Sequence, residues 1–165
     1  MMKTLIEKET FERTIRRIAH EILEHHPKLQ DVILVGILGK GYRLAIMLQQ
    51  IIKEISDNEL PLFGLEIRPF RDDEKVNKQI PHSSFSVDKK TIILIDDVLY
   101  TGRSVRAAIE AIMSLGRPQF IKLAVLVDRG HRQLPIRPDY VGKNIPTNYF
   151  ENIEVNFDLR YVIIK

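Results

Sequence analysis

Residues 91–104 constrain this chain more than any other stretch. Thr91-Ile92-Ile93-Leu94-Ile95 is a run of β-branched and apolar residues, the pattern of a strand buried on both faces. The expected strand stops on two adjacent acids, Asp96 and Asp97. Val98-Leu99-Tyr100-Thr101-Gly102-Arg103-Ser104 then leads into residues 105–112, whose Val-Arg-Ala-Ala-Ile-Glu-Ala-Ile pattern reads as a helix. A strand, a short polar loop and a helix N-terminus make a phosphate site, because the first-turn N–H groups lack intrahelical partners and the helix dipole favours an anion there. Thr101 and Ser104 add hydroxyl donors, and Gly102 lets the backbone come close to a ligand. Acids beside such a cradle need sugar hydroxyls or a metal as partners. The ligand implied is a ribose 5-phosphate unit.

Other readings of an apolar strand ending in two acids fit less well. A Walker B strand requires G-x-x-x-x-G-K-[ST] elsewhere, and Gly36-Ile37-Leu38-Gly39-Lys40-Gly41 fails that spacing. A response-regulator receiver carries its acids on an early strand, whereas here they lie past mid-chain. A purely structural turn accounts for Gly102 and for Ser104 as a cap, but leaves two ionised carboxylates unexplained.

At 165 residues, 44% hydrophobic and 28% charged, the chain has the composition of a soluble globular protein, and one domain over 1–165 is the expectation. With no Cys there are no disulfides and no thiolate-ligated metals, which fits a reducing cytoplasm. The longest apolar run, residues 32–38, is far short of a membrane span, and the N-terminus has no signal-peptide core. A net charge of +3 says little about partners. Its distribution is more informative: residues 116–143 carry six Lys/Arg against two Asp, plus His131.

The rest of the chain supplies alternating elements. Residues 10–26 read as a helix capped by Thr10, with Phe11, Ile15, Ile18, Ala19, Ile22 and Leu23 on one face and Arg13, Arg16, Arg17, His20 and Glu24 opposite. Residues 32–37 form a second buried-strand signal and 42–55 a helix. Between them Gly39-Lys40-Gly41 is a candidate second anion site, built from backbone N–H groups and the Lys40 charge. Residues 62–68 read as a weaker strand ended by Pro69, and the polar connection that follows has the profile of a lid, placed at about 71–90. Residues 120–127 add another strand, 128–149 a turn-rich cap or hood (to about 150), and 153–157 and 161–164 two short strands. Alternating β-α-β units predict an α/β fold: a mostly parallel central sheet flanked by helices, with right-handed crossovers. Ligands of such sheets bind beyond the carboxyl ends of the strands, where both glycine-bearing loops and the acid pair gather.

Ile95-Asp96-Asp97-Val98-Leu99-Tyr100-Thr101-Gly102-Arg103-Ser104 resembles the phosphoribosyl-pyrophosphate (PRPP) motif of type I phosphoribosyltransferases. Gly116-Arg117-Pro118, residues 123–137 and Val141-Gly142-Lys143-Asn144-Ile145-Pro146-Thr147 narrow the resemblance, together with Arg17-Ile18-Ala19-His20-Glu21 and Phe70-Arg71-Asp72-Asp73. They are similar to one branch, the bifunctional pyrimidine operon attenuation regulators with uracil phosphoribosyltransferase activity. That resemblance implies the type I phosphoribosyltransferase fold and transfer of phosphoribose from PRPP to uracil, giving UMP and pyrophosphate, with Mg²⁺ carried mainly on PRPP.

By the same resemblance Asp96 and Asp97 hold the ribose hydroxyls, and Val98, Leu99, Tyr100, Thr101, Gly102, Arg103 and Ser104 bind the 5-phosphate. Gly39, Lys40 and Gly41 take the pyrophosphate, and Arg71 with the lid closes over it. Asp128, Arg129 and Gly130 surround the base. The branch's second activity is binding of pyrimidine-operon leader RNA in response to UMP or UTP, which assigns His20, Arg132, Arg137 and Lys143 to an RNA face, with Arg16 beside His20. A homodimer or higher homo-oligomer is the family expectation. Two features depart from the pattern. Gly39-Lys40-Gly41 stands where the family has Thr-Arg-Gly, keeping the cation but losing the bidentate fork of arginine, and the lid is short. These leave two alternatives: a catalytically weak nucleotide-sensing RNA regulator, and a related purine phosphoribosyltransferase.

Overall fold

A computed structural model describes residues 2–72 and 84–165. Its main sheet has five strands in the order β3-β2-β4-β5-β6, all parallel: β2 (Val32–Ile37), β3 (Leu62–Leu65), β4 (Thr91–Leu99), β5 (Phe120–Asp128) and β6 (Tyr140–Asn144). Helices α1 (Lys8–His25), α2 (Lys40–Ser56) and α3 (Arg103–Leu115) cover it. The continuous apolar runs of β2 and β4 follow from this arrangement, since alternate residues enter cores on opposite faces. Leu34, Ile93, Ile95, Ala124 and Leu126 pack with Phe11, Ile15, Leu44 and Leu48 of α1 and α2. Ile33, Val35, Ile92, Leu94 and Val125 pack with Val105, Ala108 and Ile112 of α3.

A second sheet of three antiparallel strands, in the order β1-β8-β7, joins the two ends of the chain: β1 (Lys3–Ile6), β7 (Ile153–Asn156) and β8 (Tyr161–Ile164). Ile6, Val155, Phe157 and Val162 carry the first core into it, and Phe157 meets Phe11 edge-on at 5.8 Å between ring centroids.

The structure corrects several expected boundaries. Helix α1 begins at Lys8, so Thr10 lies inside it rather than capping it; its carbonyl accepts the Thr14 hydroxyl at 2.6 Å. Helix α2 begins at Lys40, which places Lys40 and Gly41 in a helical first turn instead of a loop. Strand β3 ends at Leu65, and Arg68–Phe70 form one 3-10 turn because Pro69 cannot donate to a ladder. Residues 140–144, expected within a hood, form the outer strand of the main sheet, where Gly142 and the polar Lys143 and Asn144 suit an edge. Strand β1 was not anticipated. The expected lid falls largely on 73–83, outside the described residues.

Edge strand β6 is held by α1. Arg17 donates to the carbonyls of Val141 at 3.4 Å and Gly142 at 2.5 Å. At its other end the buried Tyr140 hydroxyl lies 3.1 Å from both His25 Nδ1 and His26 Nε2. Burial, with Asp139 and Glu21 nearby, pushes this phenol up to about 12, so it stays neutral. Close approach of α2 to the sheet depends on Gly36, where a Cβ would sit 2.6 Å from the Tyr42 Cα. Gly36→Ala is therefore expected to cost about 1–3 kcal/mol through overpacking. In urea unfolding the midpoint should fall while the slope stays unchanged.

Candidate active site

The ladder between β2 and β4 ends at Gly36 and Ile95, whereas β4 remains paired with β5 through Asp96–Val125, Val98–Val127 and Leu99–Asp128. From Asp96 onward one side of β4 is therefore free of β2, and this is where a cavity of about 640 Å³ opens. Its walls include Gly39, Lys40, Arg71, Asp96, Asp97 and Ser104, with Glu66 and Arg68 beyond the end of β3. With Val98, seven residues expected in one site, from four separated segments, thus share one cavity. Glu66 and Arg68 were missed. Both are polar residues just past the carboxyl end of a parallel strand, the same positional logic that singled out Asp96 and Asp97.

The strand runs through both acids to Leu99 rather than stopping at them, so the carboxylates are set by sheet geometry. The Asp96 Oδ1 accepts the Asp97 N–H at 2.9 Å. Helix α2 is seated against this point: a Cβ on Gly41 would lie 2.7 Å from the Ile95 carbonyl and 3.0 Å from Asp96 Oδ1. Burial holds the Asp96 carboxyl well above the usual carboxylate range, and the negative Asp97 adds to this, against a smaller opposing pull from Arg71.

The turn after β4 has the form expected of an anion cradle. Gly102 has φ +93° and precedes α3 with no side-chain cap. Thr101 Oγ1 accepts the Arg103 N–H at 3.3 Å. Arg71 donates to Ser104 Oγ at 2.6 Å, which ties the end of the 3-10 turn to the start of α3. Arg103 bridges Asp72 at 2.8 Å and Gln133 at 2.8 Å, so its guanidinium lies over the loop rather than in the cavity. Leu99 is buried and the Tyr100 ring lies under Arg129, so what these two residues can offer a ligand is their backbone.

Beyond β5 the expected base-binding trio divides. Arg129 is 5% exposed, its guanidinium lies 4.0 Å from the Tyr100 ring centroid, and it donates to Thr147 Oγ1 at 3.1 Å and to the carbonyls of Asn148 and Glu151. It is a strut between the phosphate loop and residues 147–151. Asp128 is gripped by Arg132 through two bonds of 3.1 and 2.7 Å and also accepts the Gly130 N–H at 3.1 Å. Burial alone would raise this carboxyl, but the Arg132 and Gly130 hydrogen bonds and the Arg132 charge hold it below its ordinary value.

Of the cations expected on an RNA face, Arg137 and Lys143 are exposed, as is His20, while Arg132 is half-buried by its pair with Asp128. Arg132, Arg137, Val141 and Asn144 line one cavity along β6. Lys143 Nζ lies 3.4 Å from the Leu5 carbonyl. Arg16 does not extend this surface: it pairs with Glu54 of α2 at 2.8 Å, and Arg17 takes the position against β6.

For a divalent cation the cavity offers oxygen donors from Asp96, Asp97 and Glu66. Among the described residues no cluster of three or more His, Cys, Asp or Glu is arranged to hold a metal by itself. The Asp96 and Asp97 carboxylates suit Mg²⁺, which binds through one or two carboxylates plus substrate phosphates. Among the described residues no helix is long and apolar enough to cross a membrane.

A parallel sheet with a glycine turn, a helix N-terminus and paired acids at its carboxyl edge defines the class. Residues 2–161 match the family described as the phosphoribosyl transferase domain, and the chain belongs to it. Among solved structures, hypoxanthine phosphoribosyltransferase from Trypanosoma cruzi in complex with IMP superimposes with a TM-score of 0.77, at 17% identity over 98% of this chain and 89% of that one. The hypoxanthine enzyme of Staphylococcus aureus gives 0.74, at 21% identity over 97% and 90%. At these identities the likeness concerns the fold. Much nearer in sequence is the bifunctional protein PyrR of Streptococcus uberis, 50% identical over 153 residues, which are 93% of this chain and 88% of the relative. PyrR of Actinobacillus pleuropneumoniae is 49% identical over 160 residues, 94% and 89% of the two chains.

Because Asp96 binds a proton more readily folded than unfolded, its ionisation destabilises the native state. The stability it allows is fully present below the unfolded pKa and is lost as pH rises through the folded value. Asp96→Asn should therefore raise Tm at neutral pH. The gain should shrink as pH falls toward the ordinary carboxylate range, as measured by calorimetry from pH 4 to 8.

Proposed function

We propose that this chain transfers the phosphoribosyl group of PRPP to uracil, forming UMP and pyrophosphate, and that it also binds pyrimidine-operon leader RNA in response to uridine nucleotides. The observation that carries the reading is the meeting of Lys40, Arg71, Asp96, Asp97 and Ser104 in one cavity of a chain about half identical to proteins called bifunctional PyrR. In this reading Asp96 and Asp97 accept hydrogen bonds from the ribose hydroxyls. Backbone N–H groups of 98–104, with the hydroxyls of Thr101 and Ser104, take the 5-phosphate at the N-terminus of α3. Gly39-Lys40-Gly41 receives the pyrophosphate, where the first-turn N–H groups of α2 add to the ammonium charge.

Ribose carbon 1 gains positive character as pyrophosphate departs. The protein's part is to position the two substrates and to fix charge around them. Arg71, bonded to Ser104, flanks the site and helps keep water from the activated sugar. Asp128 and the backbone at Gly130 face the base, while Arg129 holds the loop beneath it. Asp96, Asp97 and Glu66 are the residues that would help hold Mg²⁺ carried on PRPP, and the ion would supply charge neutralisation for the leaving diphosphate. The outer face of β6 with His20, Arg132, Arg137 and Lys143 takes RNA, and the active form is a cytoplasmic homo-oligomer.

Incubation with PRPP, Mg²⁺ and uracil, hypoxanthine, guanine or xanthine should yield UMP alone. Tight UMP binding without turnover would favour a nucleotide-sensing regulator instead, and a purine nucleotide would contradict the base assignment. Asp97→Asn should lower kcat/KM for PRPP by about 10²-fold or more, as expected when a charge-assisted bond of ~2–3 kcal/mol is lost from a bound ligand. Unimpaired turnover by that variant would remove Asp97 from the site. Lys143→Ala should weaken RNA binding and flatten the dependence of log K on log salt by about 0.7, the value for one single-strand phosphate contact.

A further inference from the structure

Arg68 lines the same cavity as Lys40, Asp96 and Asp97, at the end away from β4. Its place follows from the ladder between β2 and β3. The pairs Gly36–Gly64 and Ile37–Leu65 close that ladder, and the Leu38 N–H carries it one step further to the Leu65 carbonyl at 3.0 Å. The two chains therefore leave the sheet side by side. Lys40 stands three residues beyond Ile37 and opens α2, while Arg68 stands three residues beyond Leu65 and opens the 3-10 turn. Leu38 lies across Gly64, where a Cβ would sit 2.5 Å from the Leu38 Cδ2, so the two exits are packed together.

Glu66 sets the plane of this guanidinium. Its carboxylate accepts Arg68 Nε at 2.9 Å and Nη2 at 3.0 Å, and the Arg68 backbone N–H at 3.0 Å. The Glu66 side chain is 15% exposed and that of Arg68 57%, so the carboxylate is set into the wall and the cation stands on its open side. A guanidinium oriented in advance can meet a phosphate with two parallel N–H bonds, which an ammonium cannot do. At Lys40 the first-turn N–H groups of α2 add attraction for an anion without restoring that fork. The strand order β3-β2-β4 separates the ends of β3 and β4 by two strand spacings, about 10 Å. A PRPP molecule with its ribose on Asp96 and Asp97 and its 5-phosphate at α3 would therefore send its diphosphate toward Lys40 and Arg68.

Resting on the proposed function, we infer that Arg68 binds the diphosphate of PRPP and the pyrophosphate product, supplying from the end of β3 the planar fork that Lys40 lacks at the end of β2. The work of one arginine is thus divided between an ammonium at a helix start and a guanidinium on the neighbouring strand exit.

The test titrates the full-length protein with magnesium pyrophosphate and, separately, with UMP, which carries no diphosphate, and measures KM for PRPP. Arg68→Ala should weaken pyrophosphate binding and raise KM for PRPP by about 10- to 100-fold, the loss expected for charge-assisted hydrogen bonds to a ligand, with UMP affinity unchanged. Arg68→Lys keeps the charge without the fork and should recover only part of the loss. Lys40→Arg placed in the Arg68→Ala background should recover most of it. Unchanged pyrophosphate affinity in Arg68→Ala would overturn the assignment, and so would an equal loss of UMP affinity, which is what a purely structural role of the Glu66 pair predicts. No recovery by Lys40→Arg would overturn the division of work between the two cations. Turnover of uracil by the unaltered protein is scored separately: its absence, with pyrophosphate still bound through Arg68, would overturn the base assignment alone.

Discussion

Strand β4 pairs in parallel with β2 on one side and β5 on the other, and the rest of the molecule depends on that arrangement. Parallel pairing brings the carboxyl ends of β2, β4 and β5 to one edge, which is where the chain must leave each strand and start a helix or loop. The two ladders also end at different heights. β2 stops pairing at Ile95, and β5 continues to Leu99. That offset leaves Asp96 and Asp97 rigid on one side and open on the other, so the acids stand in a cavity on a fixed backbone. A site on a strand is placed more exactly than one on a loop, and positioning is most of what a phosphoribosyl transfer asks of its protein.

The parts of this design that depend on local pattern were legible in the sequence. Buried parallel strands announce themselves as unbroken apolar runs, so β2, β4 and β5 were found, and Asp-Asp followed by Thr-Gly-Arg-Ser marked the turn from β4 into α3. Edge strand β6 was not legible, because Gly142, Lys143 and Asn144 dilute its apolar signal and Pro138 stands close before it. What stabilises it is Arg17, more than 120 residues away, a contact that no local pattern carries. The small sheet was half-seen for a similar reason: β7 and β8 have apolar runs, whereas β1 is a four-residue piece whose role comes from pairing with the other end of the chain.

Side-chain commitments were the least legible part of the site. Arg129 and Arg132 are both arginines of one basic stretch; the resemblance set Arg129 apart at the base, but nothing in the sequence told Arg132 from Arg137. The structure separates them by partner. Arg129 is consumed by Tyr100 and residues 147–151, Arg132 by Asp128 and the Tyr100 carbonyl, and Arg137 is exposed. A buried guanidinium has five donors to satisfy and here finds carbonyls and carboxylates to do so, which turns a charge into a mechanical brace. The excess of positive charge between residues 116 and 143 is therefore partly internal, and the surface potential it produces is smaller than the count suggests.

The replacement of the expected arginine by Lys40 is best understood from where α2 begins. In a loop, exchanging a planar fork for an ammonium would forfeit a bidentate grip on a diphosphate. Lys40 instead opens a helix, so unpaired first-turn N–H groups and the positive end of the helix dipole stand beside it. Gly41, the next residue, is what allows that helix end to rest against the Ile95 carbonyl and Asp96. One close contact thus has two consequences. It brings an anion-binding helix terminus to the cavity, and it shields Asp96 from water, which raises that carboxyl's proton affinity.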